Sequence, residues 1–106
     1  MTSPFDATLE ERGGTLCVAL RGELDISTAP RFEEALRRVE ADGPAVALID
    51  LSELEFMDST GLTMLTRWSR GADRDGYNLA LVPGDDRVHR LFEITGMVSF
   101  FTFVDG

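Results

Sequence analysis

Apolar positions along the chain follow two periods, and the switches between them mark its elements. The run Val46-Ala47-Leu48-Ile49-Asp50-Leu51 is short, rich in Val, Leu and Ile, and broken by one charge. That pattern predicts a strand buried on both faces in the middle of a sheet. Past residues 52–57 and Asp58-Ser59-Thr60-Gly61, the residues Leu62, Leu65, Trp68 and Ala72 recur at steps of three, three and four. This is the spacing of one apolar helix face, so a helix is predicted over about 60–73. Asp58, Ser59 and Thr60 each carry an oxygen able to accept from the free amides of a first turn, and the sequence leaves open which of them is the cap.

Alternation continues on either side. Residues 5–10 and 15–20 read as paired strands across Glu11-Arg12-Gly13-Gly14, whose adjacent glycines supply the positive φ of a tight hairpin. Gly22-Glu23-Leu24-Asp25 then leads to Ser27-Thr28-Ala29-Pro30, where hydroxyls can cap and proline is tolerated in a first turn. A helix over 28–41 follows, burying Phe32, Leu36 and Val39 with Ala29 and Ala35 beside them, until Asp42-Gly43-Pro44 stops it. Beyond the 60–73 helix, Asp75-Gly76 turns the chain into a strand at 79–82, closed by Pro83-Gly84. A helix over 85–95 is capped by Asp85 or Asp86, turns Val88, Leu91, Phe92 and Thr95 to the core, and has Gly96 just past its end. Residues 100–104 read as a last strand.

The predicted class is α/β, in the order β-β-α-β-α-β-α-β: a mixed sheet of four to five strands with three or four helices, the opening pair antiparallel and the rest parallel. Open α/β sheets place function at the carboxyl ends of their strands, and Ser59 lies just past the central strand's end.

With 106 residues the chain is expected to form one domain over 1–106, and 43% hydrophobic with 27% charged residues is ordinary for a globular chain. Nineteen acids against ten bases give a net charge of −9, which argues against direct nucleic-acid binding and for a partner with a basic docking patch. Arg31, Arg37 and Arg38 alternate with Glu33, Glu34 and Glu40 as a solvated mixed-charge face. Cys17, alone, forms no internal disulfide; it suits a reducing compartment, so the cytoplasm is expected, and its alternating run makes it a small buried hydrophobe. No stretch approaches the roughly 20 apolar residues of a membrane span, and no signal pattern opens the chain.

Catalytic chemistry is hard to assemble. The single histidine, His89, borders the apolar stripe of its helix and reads as a surface residue, and Asp58-Ser59-Thr60-Gly61 is not the G-x-S-x-G elbow of a serine hydrolase. One His and one Cys do not make a zinc site, and Glu53 and Glu55 read as solvated loop charges. No glycine-rich phosphate loop occurs. The residues favour a binding module without a cofactor over an enzyme.

Three stretches, Gly22-Glu23-Leu24-Asp25 with Thr28-Ala29, then Val46 to Leu51, then Phe56-Met57-Asp58-Ser59-Thr60-Gly61-Leu62, together resemble the STAS domain of bacterial anti-sigma factor antagonists. Val88-His89-Arg90-Leu91-Phe92-Glu93-Ile94-Thr95-Gly96 is similar to that family's third helix and its ending. The resemblance implies a monomer or weak dimer that binds an anti-sigma factor, itself a serine kinase, and so frees a sigma factor. It implies phosphorylation of Ser59, with Thr60 as the alternative acceptor, and reversal by a serine phosphatase. Asp25, Thr28, Asp58, Ser59, Thr60 and Gly61 would form the docking face. Two other readings of the same family and loop are a scaffold subunit that assembles without being switched and a small-ligand-binding domain.

Overall fold

A computed structural model describes residues 5–105; positions 1–4 and 106 of the expected domain lie outside the described residues. Strands β1 (Asp6–Arg12) and β2 (Thr15–Leu24) form the opening hairpin. Its loop is only Gly13 and Gly14, at φ 55° and 85°, so the strands reach closer to the turn than the sequence suggests and Arg12 pairs with Thr15. Helix α1 (Ala29–Asp42), strand β3 (Val46–Met57), helix α2 (Ser59–Asp75), strand β4 (Asn78–Val82) and helix α3 (Asp86–Ile94) follow. The sheet order is β1-β2-β3-β4, with β1 antiparallel to β2 and the remaining pairs parallel. The class is the α/β mixed sheet expected, with four strands and three helices.

All three helices pack on one face. Leu16, Val18 and Leu20 of β2, Ala47, Ile49 and Leu51 of β3 and Leu81 of β4 join Phe32, Leu36, Val39, Leu65, Trp68, Val88 and Phe92 of the helices in one core. On the opposite face Cys17, Ala19, Val46, Leu48 and Ala80 are only half-buried. The expectation that 46–51 is buried on both faces is therefore corrected: the strand's unbroken apolar run fills one covered face and one open face. Cys17 stands on the open face.

Both central strands outrun their expected ends. Where Ala19 faces Asp50, Arg21 already faces Glu53, and where Gly22 faces Leu54, Glu23 faces Phe56, so β3 carries one extra residue twice. These bulges change the buried period from two to three, and Leu51, Leu54 and Met57 continue the core face. Gly22, at φ 84°, lets β2 keep pace to Leu24, which pairs with Met57. Glu53 and Glu55 thus lie within a strand, not in a loop.

The last expected strand, 100–104, is not a strand. Val98–Phe100 is a 3-10 turn, and only Phe103 bridges to Leu81, whose N–H donates to the Thr102 carbonyl at 2.8 Å and whose carbonyl accepts from Val104 at 2.8 Å. Phe101 and Phe103 pack edge-on against Phe92 of α3 at 5.5 and 5.2 Å, so the rings go to the helix while the backbone keeps a single bridge to β4. His89 is drawn into the same cluster, 5.0 Å from the Phe103 ring and half-buried, so its expected surface placement is corrected. Thr95 does not face the core; it is exposed, and its hydroxyl donates back to the Leu91 carbonyl at 2.6 Å. Among the described residues no helix is long and apolar enough to cross a membrane.

Candidate functional site

The carboxyl ends of β2 and β3 deliver the expected residues to one end of the sheet. Asp58 follows β3, and its N–H donates to the Leu24 carbonyl at 3.2 Å, so the two strand ends are tied together. Asp58 is the cap of α2: its Oδ1 accepts from the Thr60 amide at 2.9 Å and the Gly61 amide at 3.4 Å. The side chain that satisfies these two first-turn amides is therefore neither Ser59 nor Thr60. Ser59 becomes the first helical residue and is exposed, while Thr60 is half-buried. Of the two hydroxyls, the first is the open one.

Gly61 faces inward. A Cβ there would meet Met57 Cγ at 2.7 Å and Leu24 Cδ2 and Cγ at 2.9 Å, so the helix start rests directly on the paired strand ends. The sequence motif places Gly61 on the docking face, but the geometry gives it a packing role beneath that face.

Asp25, directly after β2, organises the loop before α1. Its Oδ1 accepts from the Ser27 hydroxyl at 2.6 Å, the Ser27 amide at 2.9 Å and the Thr28 amide at 3.2 Å. Hydrogen bonding from the Ser27 hydroxyl, opposed by desolvation and aided by the two amides, holds the carboxyl below its ordinary value. Thr28 locks the loop from the other side, its hydroxyl donating to the Glu23 carbonyl at 2.7 Å and accepting from the Asp25 amide at 3.0 Å. Asp25 and Thr28 thus brace the loop before α1 without either side chain capping the helix, with only Oδ2 of Asp25 outside these bonds.

This rigid loop lifts Ile26 into solvent, at 77% exposure the most exposed large apolar side chain among the described residues. Ile26, Ala29 and Pro30 form one wall of a groove of about 490 Å³, and Ser59, Thr60, Thr63, Met64 and Arg67 of α2 form the other. Phe56, 47% exposed near the end of β3, is a second large apolar residue close to the cap in sequence. The docking face expected from the motif includes neither Ile26 nor Phe56, although Phe56 opens the motif's third stretch. The one signal for Ile26 was an aliphatic residue between Asp25 and Ser27, outside any apolar period. Phe56 carried none, because its exposure depends on the second bulge.

The arrangement offers an exposed hydroxyl on a helix amino end and, beside it, a shallow groove of mixed polarity whose lining includes the Glu33 carboxylate and the Arg67 guanidinium. It offers no base to the Ser59 hydroxyl, and among the described residues no group of three or more His, Cys, Asp or Glu is placed to hold a metal ion.

The chain is similar to proteins of known class. An anti-sigma-B factor antagonist of Staphylococcus aureus is 36% identical over 89 residues, covering 84% of this chain and 82% of that protein. The crystal structure of an anti-sigma factor antagonist from Mycobacterium paratuberculosis superposes with a TM-score of 0.85 at 28% identity, over 100% of this chain and 92% of the other. The Bacillus cell fate determinant SpoIIAA, in its phosphorylated form, shares the fold with a TM-score of 0.70 at 19% identity, over 93% of this chain and 91% of its own. These relatives are named for regulation and not for a reaction. The STAS domain model matches residues 6–105, essentially the whole described chain, and the protein belongs to the STAS domain family.

Proposed function

We propose that this protein is an anti-sigma factor antagonist: it binds an anti-sigma factor that is also a serine kinase, and its binding frees a sigma factor until the kinase phosphorylates Ser59. A serine phosphatase returns it to the binding form. The observation that carries the reading is the exposure of Ser59 on the first turn of α2 while the adjacent carboxylate, Asp58, takes the capping role. A kinase needs an acceptor hydroxyl that is free and accessible, and a fold whose helix survives its modification. Kinship to proteins named anti-sigma-B factor antagonist, at 36% and 34% identity in two staphylococcal species, supports the class of partner. A fold relative studied in its phosphorylated form supports the modification.

Within this reading Ile26 and the groove beside it receive an apolar side chain of the kinase, while Asp25 Oδ2 and Asp58 meet basic groups at the rim. The test is intact-mass analysis after incubation with ATP and the anti-sigma kinases of the same genome, with Ser59→Ala and Thr60→Ala in parallel. One added phosphate that disappears only in Ser59→Ala is expected. Stable binding to another partner with no phosphate from any kinase would overturn the switch in favour of a scaffold subunit. A phosphate lost only in Thr60→Ala would move the acceptor by one residue.

A further inference from the structure

Past the acceptor, positions 59, 63, 67, 70 and 74 are spaced four, four, three and four, which sets Ser59, Thr63, Arg67, Arg70 and Arg74 in one outward row along α2. The chain carries net charge −9 and all ten of its basic residues are arginine, yet three of the ten stand in this row. The ion pairs among the described residues, Arg12 with Glu10, Arg21 with Glu53 and Arg87 with Asp85, involve none of the three. Arg70 instead lies 5.9 Å from the ring centre of Phe100. These are cations presented outward on an acidic protein.

Apolar surface flanks the row. On its α3 side a second groove, of about 330 Å³, runs between Leu62, Thr66 and Arg70 of α2 and Thr95 and Met97 beyond α3. The groove next to Ser59 and this one share Thr63 and Arg67, so the two form one surface that crosses the helix. Ile94 at the end of α3 and Val98 and Phe100 of the following 3-10 turn are 73%, 38% and 40% exposed, against 2% and 0% for Val88 and Phe92 of α3. Aliphatic and aromatic surface beside forked guanidinium donors is complementary to a helix with carboxylates on one side and aliphatic side chains on the other. Nucleic acid fits less well, since three arginines offer few phosphate contacts while the rest of the chain repels phosphate.

We propose that Arg67 and Arg70, with the groove at Met97, are a second docking segment that takes an acidic amphipathic helix of the anti-sigma factor, whether or not Ser59 carries a phosphate. The proposal rests on the antagonist reading and adds to it. Arg70 lies eleven residues from Ser59, about 16 Å along the helix, well beyond the roughly 8 Å screening length of physiological salt. A phosphate at Ser59 therefore acts on the first groove, which Arg67 also lines, and leaves the Arg70 and Met97 end of the second contact in place. Modification lowers affinity without ending the encounter, so the phosphorylated protein still competes weakly for its kinase.

The test compares the full-length protein with Arg67→Glu/Arg70→Glu, Arg67→Gln/Arg70→Gln and Ser59→Ala, titrated against the anti-sigma kinase at low and high salt, unmodified and phosphorylated. The charge reversal should weaken binding at low salt about tenfold or more. It should remove most of the salt dependence, and do so by a similar factor in both phosphorylation states. The glutamine pair should fall between, and Ser59→Ala should keep the salt dependence of the parent. Charge-reversed protein that melts like the parent and binds the kinase like the parent overturns the proposal, as does a loss confined to binding of a random-sequence DNA duplex. If the kinase binds without phosphorylating Ser59 and charge reversal still weakens it, the docking segment stands and only the switch falls. If the kinase does not bind the parent, both fall together.

Discussion

Two glycines of one helix should respond to alanine with opposite signs. Gly61 and Gly71 both lie in α2, and neither has a positive φ, so neither needs glycine for its backbone. Helix propensity alone favours alanine at each by about 1 kcal/mol. At Gly71 the only heavy atom a new Cβ would approach is Nη2 of Arg74, at an ordinary 3.7 Å, so that gain should be realised nearly in full. At Gly61 the same atom would lie 2.7 Å from Met57 Cγ and 2.9 Å from two atoms of Leu24, whose side chain is wholly buried. These are atoms near the roots of packed side chains, and both residues sit on the paired strand ends, so little can yield. Overpacking of this kind costs about 1–3 kcal/mol. With Met57 and Leu24 both met under 3 Å the cost belongs to the upper part of that range, about 2–3 kcal/mol, and less the propensity gain of about 1 kcal/mol it leaves Gly61→Ala about 1–2 kcal/mol less stable. For 106 residues the unfolding entropy is about 0.2 kcal/mol per degree, so Tm should fall by about 4–9 °C. Gly71→Ala should raise it by about 4 °C. Thermal and urea melts of the two variants followed by circular dichroism decide the matter. A Gly61→Ala protein that melts at or above the parent temperature refutes the claim that α2 is seated on Leu24 and Met57 by the missing side chain.

Asp58→Ala removes the acceptor of two first-turn amides and should cost about 1 kcal/mol, a Tm drop of about 4–5 °C, while Asp58→Asn keeps an acceptor and should stay close to the parent. The Asp25 carboxyl is held below its ordinary 3.8, so its folded form favours the charged state. Its stabilisation of the loop is complete above the unfolded value and is lost as pH falls through the lower folded value. Carboxyl NMR should accordingly place the Asp25 midpoint below 3.8, with the Ser27 amide shift moving in step; a midpoint at or above that value contradicts the geometry. Tyr77 Oη accepts from the buried Trp68 Nε1 at 2.7 Å, so Tyr77→Phe strands that donor and should cost about 1–3 kcal/mol in a urea melt. Combined with Trp68→Phe the loss should be less than additive, because the second change removes the stranded donor.

Regular periodicity made most of the architecture legible. The steps of three and four in 62–72 placed α2, and Asp42-Gly43-Pro44 placed the end of α1, where Gly43 does adopt φ 61°. The misplaced ends lie where period and structure part company. Leu51, Leu54 and Met57 are buried at a spacing of three within a strand, because two bulges on β3 insert a residue each; a spacing of three in sequence carries no strand signal. The 100–104 segment failed in the opposite sense. Its alternating phenylalanines look like a strand, but Phe92 on α3 offers their rings a better partner than the edge of β4. For the site, the family motif located Asp58 and Ser59, yet physics in one dimension did not separate three candidate caps. Choosing among them needed backbone angles and hydrogen bonds, and Ile26 needed the Asp25 loop that projects it.

On the proposed reading the protein must register a single modification without losing stability, and the placement of Ser59 separates these two demands. A phosphate on Ser59 of the free protein would stand on an exposed first turn, where the helix dipole would contribute about 0.3–1 kcal/mol in its favour. Its repulsion by Asp58 or Asp25 is damped by water, about 1 kcal/mol per pair of unit charges even at 4 Å. Once a partner covers the groove, water leaves and the effective dielectric near 20 raises the same repulsion to about 4 kcal/mol for any carboxylate the partner brings. A partner carboxylate is absent from the free protein, so the whole of that roughly 4 kcal/mol, several hundredfold in affinity, appears only in the complex. On the proposed reading the rigid parts of the site serve this asymmetry. Asp58 takes the cap so that Ser59 need not, and Gly61 lets the helix start lie flat on the strand ends so that modification above leaves packing below untouched. Sensitivity then belongs to the interface and constancy to the fold, with two adjacent residues dividing the roles.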